Sequence, residues 1–159
     1  MSLATGAKAT DRLVLSFLAF DFGTKRVGVA VGNTLTSGAQ PLRTIAAEGD
    51  ARFEAIGKLI SEWQPNALVV GVPFHPDGAA HENTDRARRF ARQLHGRFAL
   101  QVHEVDERYT TTEAIGFGAK DVDAASAAII LEQFFASGAA IDGAAIIGTA
   151  SINDKRTSE

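Results

Sequence analysis

Continuous apolar runs and amphipathic segments alternate along the chain, and this alternation predicts an α/β fold. Residues 13–20 form a nearly continuous apolar run that ends at Asp21, and a second apolar run covers residues 27–31. Such runs are typical of strands that are covered on both faces. The short turn between the two runs predicts an antiparallel hairpin. A third short strand is expected around residues 42–45.

Helical and strand patterns then follow one another to the end of the periodic region. The segment from Asp50, a candidate N-cap, to Pro65 has apolar residues at helical spacing. Further helices are predicted over about 83–94 and 121–135, with apolar strands at 67–71 and 100–105. We therefore predict a mixed sheet, antiparallel at its first strands and parallel at its later ones, flanked by helices.

The size of the chain limits how it can be divided into domains. Its 159 residues suit one ordinary domain and argue against a large two-domain enzyme. We expect a disordered segment over residues 1–11, a single domain over 12–137 and a flexible tail over 138–159. No apolar run is long enough for a transmembrane helix and no signal peptide is present, so we expect a cytoplasmic protein with no membrane partner.

Composition narrows the chemistry that is available. The chain has no cysteine, which excludes disulfides, thiolate nucleophiles and zinc sites with cysteine ligands. The four histidines show no metal-ligand spacing, so surface or structural roles are expected for them. The formal net charge of −3 lacks the broad positive field of a protein that binds nucleic acid mainly through phosphate neutralisation. Carboxylates are the functional groups that remain to be explained.

Acidic residues lie at three places directly after or at the start of apolar elements, where burying a charge costs free energy unless a partner compensates it. Asp21 ends the first strand, Asp106 and Glu107 follow the strand that ends at Val105, and Asp123 lies in the first turn of the last helix. Asp21 has an alternative role as a turn cap, and Asp123 has one in the helix macrodipole. Strand alternation sends Asp106 and Glu107 to opposite faces, so only one of them is expected at a shared site.

If Asp21, Glu107 and Asp123 converge, their mutual repulsion requires cations between them. Carboxylate oxygens select Mg²⁺ or Mn²⁺. Two such ions about 3.5–4 Å apart activate a water and stabilise the leaving oxygen of a phosphodiester. This arrangement predicts metal-dependent phosphodiester hydrolysis without any help from cysteine.

Basic residues provide candidate contacts to phosphates. Lys25 and Arg26 lie in the turn after Asp21, although basic hairpin tips are often only solvated. Five arginines lie on or just after the second helix and flank its apolar face, where they form either a solvated face or a phosphate-binding patch. They are Arg86, Arg88, Arg89, Arg92 and Arg97.

Four segments in this order resemble the YqgF-type Holliday-junction-resolvase-like proteins, which are also described as pre-16S rRNA nucleases. The resemblance covers about residues 15–135. The segments are Leu18-Ala-Phe-Asp-Phe-Gly-Thr-Lys-Arg-Val-Gly-Val-Ala-Val31, Val69-Val-Gly-Val-Pro73, Val105-Asp-Glu-Arg-Tyr-Thr-Thr111 and Lys120-Asp-Val-Asp-Ala-Ala125.

This resemblance implies an RNase H-like fold with Asp21, Glu107 and Asp123 as catalytic, metal-binding acids. It further implies that Arg108 and Thr110 help to hold the substrate, as we expect for Lys25 and Arg26. The function it implies is an endonuclease that cleaves structured nucleic acid and processes the 5′ end of pre-16S rRNA in ribosome biogenesis. The implied partners are pre-rRNA, branched DNA and ribosomal precursor particles, with the enzyme a monomer or a homodimer.

Three other functions remain open at this point. A Holliday junction resolvase would use the same acids on DNA. The opening hairpin also looks like the phosphate-binding hairpin of actin-like and sugar-kinase ATPases, although those proteins close two such domains over the nucleotide and this chain supplies one. A non-catalytic nucleic-acid-binding factor would keep the fold without the activity.

Overall fold

A computed structural model describes residues 14–73, 81–106 and 121–138, and these form a five-stranded sheet with three helices. In chain order the elements are β1 (Ser16–Phe22), β2 (Val27–Asn33), β3 (Gly38–Ile45), α1 (Gly49–Trp63), β4 (Ala67–Val72), α2 (His81–Phe98), β5 (Gln101–Asp106) and α3 (Val122–Ala136). The strand order in the sheet is β3-β2-β1-β4-β5.

The sheet is mixed, as the pattern predicts. Strand β1 is central and pairs antiparallel with β2 and parallel with β4. Strand β3 extends the antiparallel side, and β5 extends the parallel side. The carboxyl ends of β1, β4 and β5 therefore meet at one edge of the sheet, which we call the C-terminal edge, and Asp21 lies there in register with Gly71.

Alternating side chains of β1 build two cores, one on each face of the sheet. Leu18 and Phe20 pack against α1 and α2 on one face, which we call the α2 face. Phe17 and Ala19 pack against α3 on the other, the α3 face. All four side chains are fully buried, which explains why this strand reads as a continuous apolar run.

The ends of α3 agree with the sequence prediction within one residue, whereas α2 extends beyond the predicted range of about 83–94 at both ends and α1 begins earlier than predicted. Glu48, in an extended conformation, is the N-cap of α1, and Gly49 is its first residue. The prediction of Asp50 as the N-cap is therefore wrong, because Gly49 lets the helix start earlier and leaves Asp50 in its first turn. Trp63, the last residue of α1, is 40% exposed and does not extend the core.

The predicted terminal segments 1–11 and 138–159 lie outside the described residues, except for Gly138. So do Glu107, Arg108 and Thr110. In the part of the chain that is described, no helix combines the length and the apolar character needed to cross a membrane.

Candidate active site

The C-terminal edge of the sheet brings together two of the three predicted acids. Asp21 is the next residue after Phe17 and Ala19 in the alternation of β1, so its side chain belongs to the α3 face. There it accepts a hydrogen bond from Ser126 of α3 and experiences the charge of Asp123. The two carboxylates thus meet although they are far apart in the sequence.

The local structure of α3 explains why Asp123 reaches this position. Asp121 is the N-cap, and its Oδ1 accepts hydrogen bonds from the backbone N of Ala124, at 3.2 Å, and from the hydroxyl of Thr44. The apolar residues on the stripe of Asp123, namely Ala127, Ile130 and Phe134, are buried against the sheet. Asp123 itself is 29% exposed and begins this inward-facing stripe, as the sequence pattern predicts.

A glycine in β2 allows the first turn of α3 to lie directly on the sheet. Gly28 pairs with Asp21 across the hairpin. A Cβ atom at Gly28 would overlap the carbonyl oxygen of Asp123 and would lie 2.7 Å from the backbone N of Ala124. The absence of a side chain at position 28 is therefore what lets α3 approach Asp21.

The carboxyl group of Asp21 is buried beside a second negative charge, an environment that favours a bound cation. Burial and the neighbouring charge of Asp123 raise the pKa of Asp21 to about 6, against a smaller opposing effect of the Ser126 hydrogen bond. A carboxyl group with a raised pKa beside a second carboxylate is a common feature of functional sites. Both groups offer the hard oxygen ligands that Mg²⁺ and Mn²⁺ prefer, so the pair fits a divalent cation.

A positively charged side chain, that of Arg26, contacts the site. Nε of Arg26 donates to Oδ2 of Asp123 at 2.9 Å, and the Arg26 side chain is 63% exposed. Lys25 is exposed in the same turn. Arg26 therefore lies beside the predicted acids, where it partly neutralises Asp123.

A buried arginine supports the turn that carries these two cations. Arg52 of α1 is only 6% exposed and donates to the carbonyl oxygens of Ala47, at 2.9 Å, and Thr24, at 3.1 Å. Its guanidinium group also lies 5.6 Å from the centre of the Phe22 ring. Arg52 thus ties the β1–β2 turn to the start of α1.

Asp106, one of the adjacent acids after the apolar strand, belongs to the other face of the sheet. In β5 the side chain of Val102 packs in the core of the α2 face and Glu104 pairs with Arg88 of α2, whereas Val105 packs on the α3 face. Asp106 continues the series of Val102 and Glu104, so it lies on the face opposite to Asp21. Glu107 is outside the described residues, and within those residues no group of three His, Asp or Glu side chains is arranged to hold a metal ion.

Sequence reasoning missed four residues that shape the site. Ser126 lies one turn after Asp123 on the same helix face, which is a signal that could have identified it. Arg52 shares the buried stripe of Ile56 and Leu59 at helical spacing, but an arginine in such a stripe is ordinarily assumed to reach solvent. The closeness of Gly28 and Thr44 to α3 has no local signal in the sequence.

Comparisons with known proteins identify the family and the fold of this chain. The family model described as "RuvX: Holliday junction resolvase" matches residues 15–137. A protein of Albidiferax ferrireducens is 73% identical over 122 residues, which cover 77% of this chain and 78% of that protein. A protein of Polaromonas sp. is 65% identical over 137 residues, 86% of this chain and 99% of that protein. Both carry the name "Putative pre-16S rRNA nuclease".

Solved structures show the same fold at low sequence identity. RuvC of T. thermophilus in complex with a Holliday junction substrate superposes with a TM-score of 0.52 at 14% identity, covering 77% of this chain and 95% of that one. Pelota of Archaeoglobus fulgidus superposes with a TM-score of 0.54 at 11% identity over 96% of this chain, but over only 42% of its own. The RuvC likeness confirms the predicted RNase H-like fold, and the match to the family model over residues 15–137 establishes that this chain belongs to the RuvX Holliday junction resolvase family.

Proposed function

We propose that this protein is a divalent-metal-dependent endonuclease that processes pre-16S rRNA. The observation that carries the proposal is the pairing of Asp21 and Asp123 at the C-terminal edge of the sheet, where burial and the charge of Asp123 raise the pKa of Asp21 and the two carboxylates fit a cation. The RNA substrate follows from the names of relatives that are 65–73% identical to this chain.

Asp21, Glu107 and Asp123 would hold Mg²⁺ or Mn²⁺. Strand alternation supports Glu107 as the third acid. Asp106 lies on the α2 face, and the sequence pattern predicts that its neighbour Glu107 shares the face of Asp21. When bound, the metal supplies Lewis-acid activation of water and stabilises the leaving oxygen of the phosphodiester.

The other residues of the chain would bind and orient the substrate. Lys25 and Arg26, in the exposed turn beside Asp21, are suited to contact phosphate oxygens on either side of the cleaved bond. Arg52 would keep that turn in place through the carbonyl of Thr24. We assign Arg108 and Thr110 to substrate binding on the family resemblance. We expect the enzyme in the cytoplasm with ribosomal precursor particles, as a monomer or a homodimer.

A second candidate substrate is a four-way DNA junction, which the description of the matching family favours. The same acids and the same metal chemistry serve both substrates, so the nucleic acid that is cleaved has to be measured. Membership of this family favours nuclease activity over the ATP-binding alternative.

The test is cleavage of a pre-16S rRNA 5′ leader and of a four-way DNA junction, each with Mg²⁺ and with Mn²⁺. We expect Asp21→Asn, Glu107→Gln and Asp123→Asn each to lower the cleavage rate by at least about a hundredfold, because each variant lacks a proposed ligand of the metal that activates the water. Asp106→Asn is the matched control, because it removes a neighbouring carboxylate from the opposite face, and it should cleave like the wild type. Equal cleavage by wild type and Asp21→Asn would contradict the proposed site.

A further inference from the structure

The charge of α2 is opposite in sign to that of the whole protein. Between His81 and Phe98 the helix contains five arginines, no lysine and two acids, Glu82 and Asp85, and its formal charge is +3. The complete chain carries −3. A positive strip of this kind on an acidic protein marks a surface where an anionic partner is attracted locally.

The arginines of α2 differ in whether an acid neutralises them. Arg88 lies 3.5 Å from Glu104. Arg97 lies 3.4 Å from Asp50, and its guanidinium group stacks 4.1 Å from the centre of the Phe53 ring. These two side chains thus have partners on neighbouring elements.

Arg89 and Arg92 have no such partner among the side chains of residues 14–73, 83–106 and 121–138. Both are exposed. They lie three residues apart, so their Cβ atoms are about 5–6 Å from each other on one face of the helix. The opposite face is anchored in the core by buried apolar side chains, which are Ala87, Phe90, Ala91 and Leu94. The two guanidinium groups are therefore displayed to solvent from a firmly held helix.

The fold connects this surface with the candidate active site. Strand β4 ends at Val72, at the C-terminal edge where Asp21 lies. The hydroxyl of Thr84 in the first turn of α2 donates to the carbonyl of Pro73 at 2.8 Å, which fixes the start of α2 at that edge. A cleft of about 180 Å³ lined by Gly23, Thr24 and Asn83, among others, lies between the β1–β2 turn and this first turn of α2.

We propose that Arg89 and Arg92 form a second nucleic-acid contact, which binds the phosphate backbone of the substrate on the α2 side, away from the bond that is cleaved. All the Lys or Arg residues of α2 are arginines, which suits this partner because the planar guanidinium group binds phosphate oxygens in pairs. The inference rests on the proposed function and adds to it a binding surface that is remote from the acids. Contacts of this kind give affinity and carry no sequence information.

The test is binding of a fluorescently labelled RNA hairpin with a single-stranded 5′ flank, followed by anisotropy in EDTA over a series of KCl concentrations. We expect Arg89→Ala/Arg92→Ala to weaken binding roughly tenfold and to lower the slope of log K against log [salt] by about 2, because each arginine that is removed leaves one phosphate without its neutralising charge. Arg89→Lys/Arg92→Lys keeps the charges and should keep most of the slope.

The matched control is Arg43→Ala/Lys58→Ala, which removes two exposed positive charges from β3 and α1 and should bind like the wild type. Neither arginine of the α2 pair forms an ion pair in the described residues, so the alanine pair should unfold at the wild-type temperature. If the wild type binds the RNA and the alanine pair binds equally tightly with the same slope, the α2 contact is overturned and the proposed nuclease function stands. If the wild type neither binds nor cleaves the RNA, both proposals fail.

Discussion

The backbone of Asp123 rests directly on Gly28, and this contact sets how closely the first turn of α3 approaches Asp21. A Cβ atom at position 28 would overlap the carbonyl oxygen of Asp123. Because Gly28 is the hairpin partner of Asp21, the same contact fixes both acids relative to one another. The geometry of the candidate metal site therefore depends on Gly28, which contributes no side chain to it.

Gly28→Ala should consequently displace the start of α3. We expect a loss of about 1–3 kcal/mol in the free energy of unfolding, the usual cost of adding a methyl group where no space exists. We also expect weaker Mn²⁺ binding, measured by isothermal titration calorimetry. Gly96→Ala is the control, because a Cβ there meets nothing within 4 Å and should slightly stabilise α2. Wild-type Mn²⁺ affinity in Gly28→Ala would show that the contact does not control the site.

The raised pKa of Asp21 predicts how the stability of the metal-free protein depends on pH. The pKa is about 6 in the folded protein and 3.8 as the reference value, so the folded state favours the protonated carboxyl. The stability that the folded protein gains from the protonated Asp21 carboxyl is fully present below about pH 4 and is lost as the pH rises through 6. It amounts to at most about 3 kcal/mol, at 1.36 kcal/mol per pKa unit.

Asp21→Asn removes the charge and should therefore be more stable than the wild type at pH 8 in EDTA, with the difference vanishing towards pH 4. Urea unfolding at both pH values measures it. Addition of Mg²⁺ should stabilise the wild type and leave Asp21→Asn unchanged, because only a ligand bound to the folded state raises stability. A stability difference that does not change with pH would contradict the assigned environment of Asp21.

The ion pair between Arg26 and Asp123 predicts competition between an arginine and a metal ion for one carboxylate. Exposed ion pairs of this kind contribute about 0.2–1 kcal/mol. Arg26→Met should therefore increase Mn²⁺ affinity by up to about fivefold while it lowers nucleic-acid cleavage. Lys25→Met removes the same charge from the adjacent exposed position and should change Mn²⁺ affinity less. Weaker Mn²⁺ binding by Arg26→Met would mean that Arg26 supports the metal site instead of competing with it.

Local periodicity predicted the parts of the site that each element determines alone. Helical spacing assigned Asp123 to the buried stripe of α3, and the structure confirms that Ala127, Ile130 and Phe134 of this stripe are buried. Apart from the meeting of Asp21 with Asp123, contacts between distant segments were not predicted. Arg26 was expected on a phosphate, and its partner Asp123 lies 97 residues away. The burial of Arg52 likewise depends on carbonyl groups of two other segments, at Thr24 and Ala47, which no pattern within α1 encodes.

Two acids at the start of α3 differ by two positions and should have separable roles. Asp121 caps the helix, since its side chain accepts from the backbone of Ala124 and from Thr44 of β3. Asp123 faces Asp21 and makes no capping contact in the described residues. Asp121→Ala should therefore cost about 1 kcal/mol of stability, the usual effect of losing an N-cap, whereas Asp123→Ala should cost less.

Mn²⁺ affinity should separate the same pair in the opposite order. Asp123→Ala removes a proposed ligand and should abolish measurable Mn²⁺ binding, while Asp121→Ala should retain it in every molecule that remains folded. Thr44→Val, which removes one of the two hydrogen bonds to Asp121, should reproduce a part of the stability loss without altering the metal ligands. Equal losses of Mn²⁺ binding in the two alanine variants would mean that the cap and the ligand cannot be separated, because the position of Asp123 would then depend entirely on Asp121.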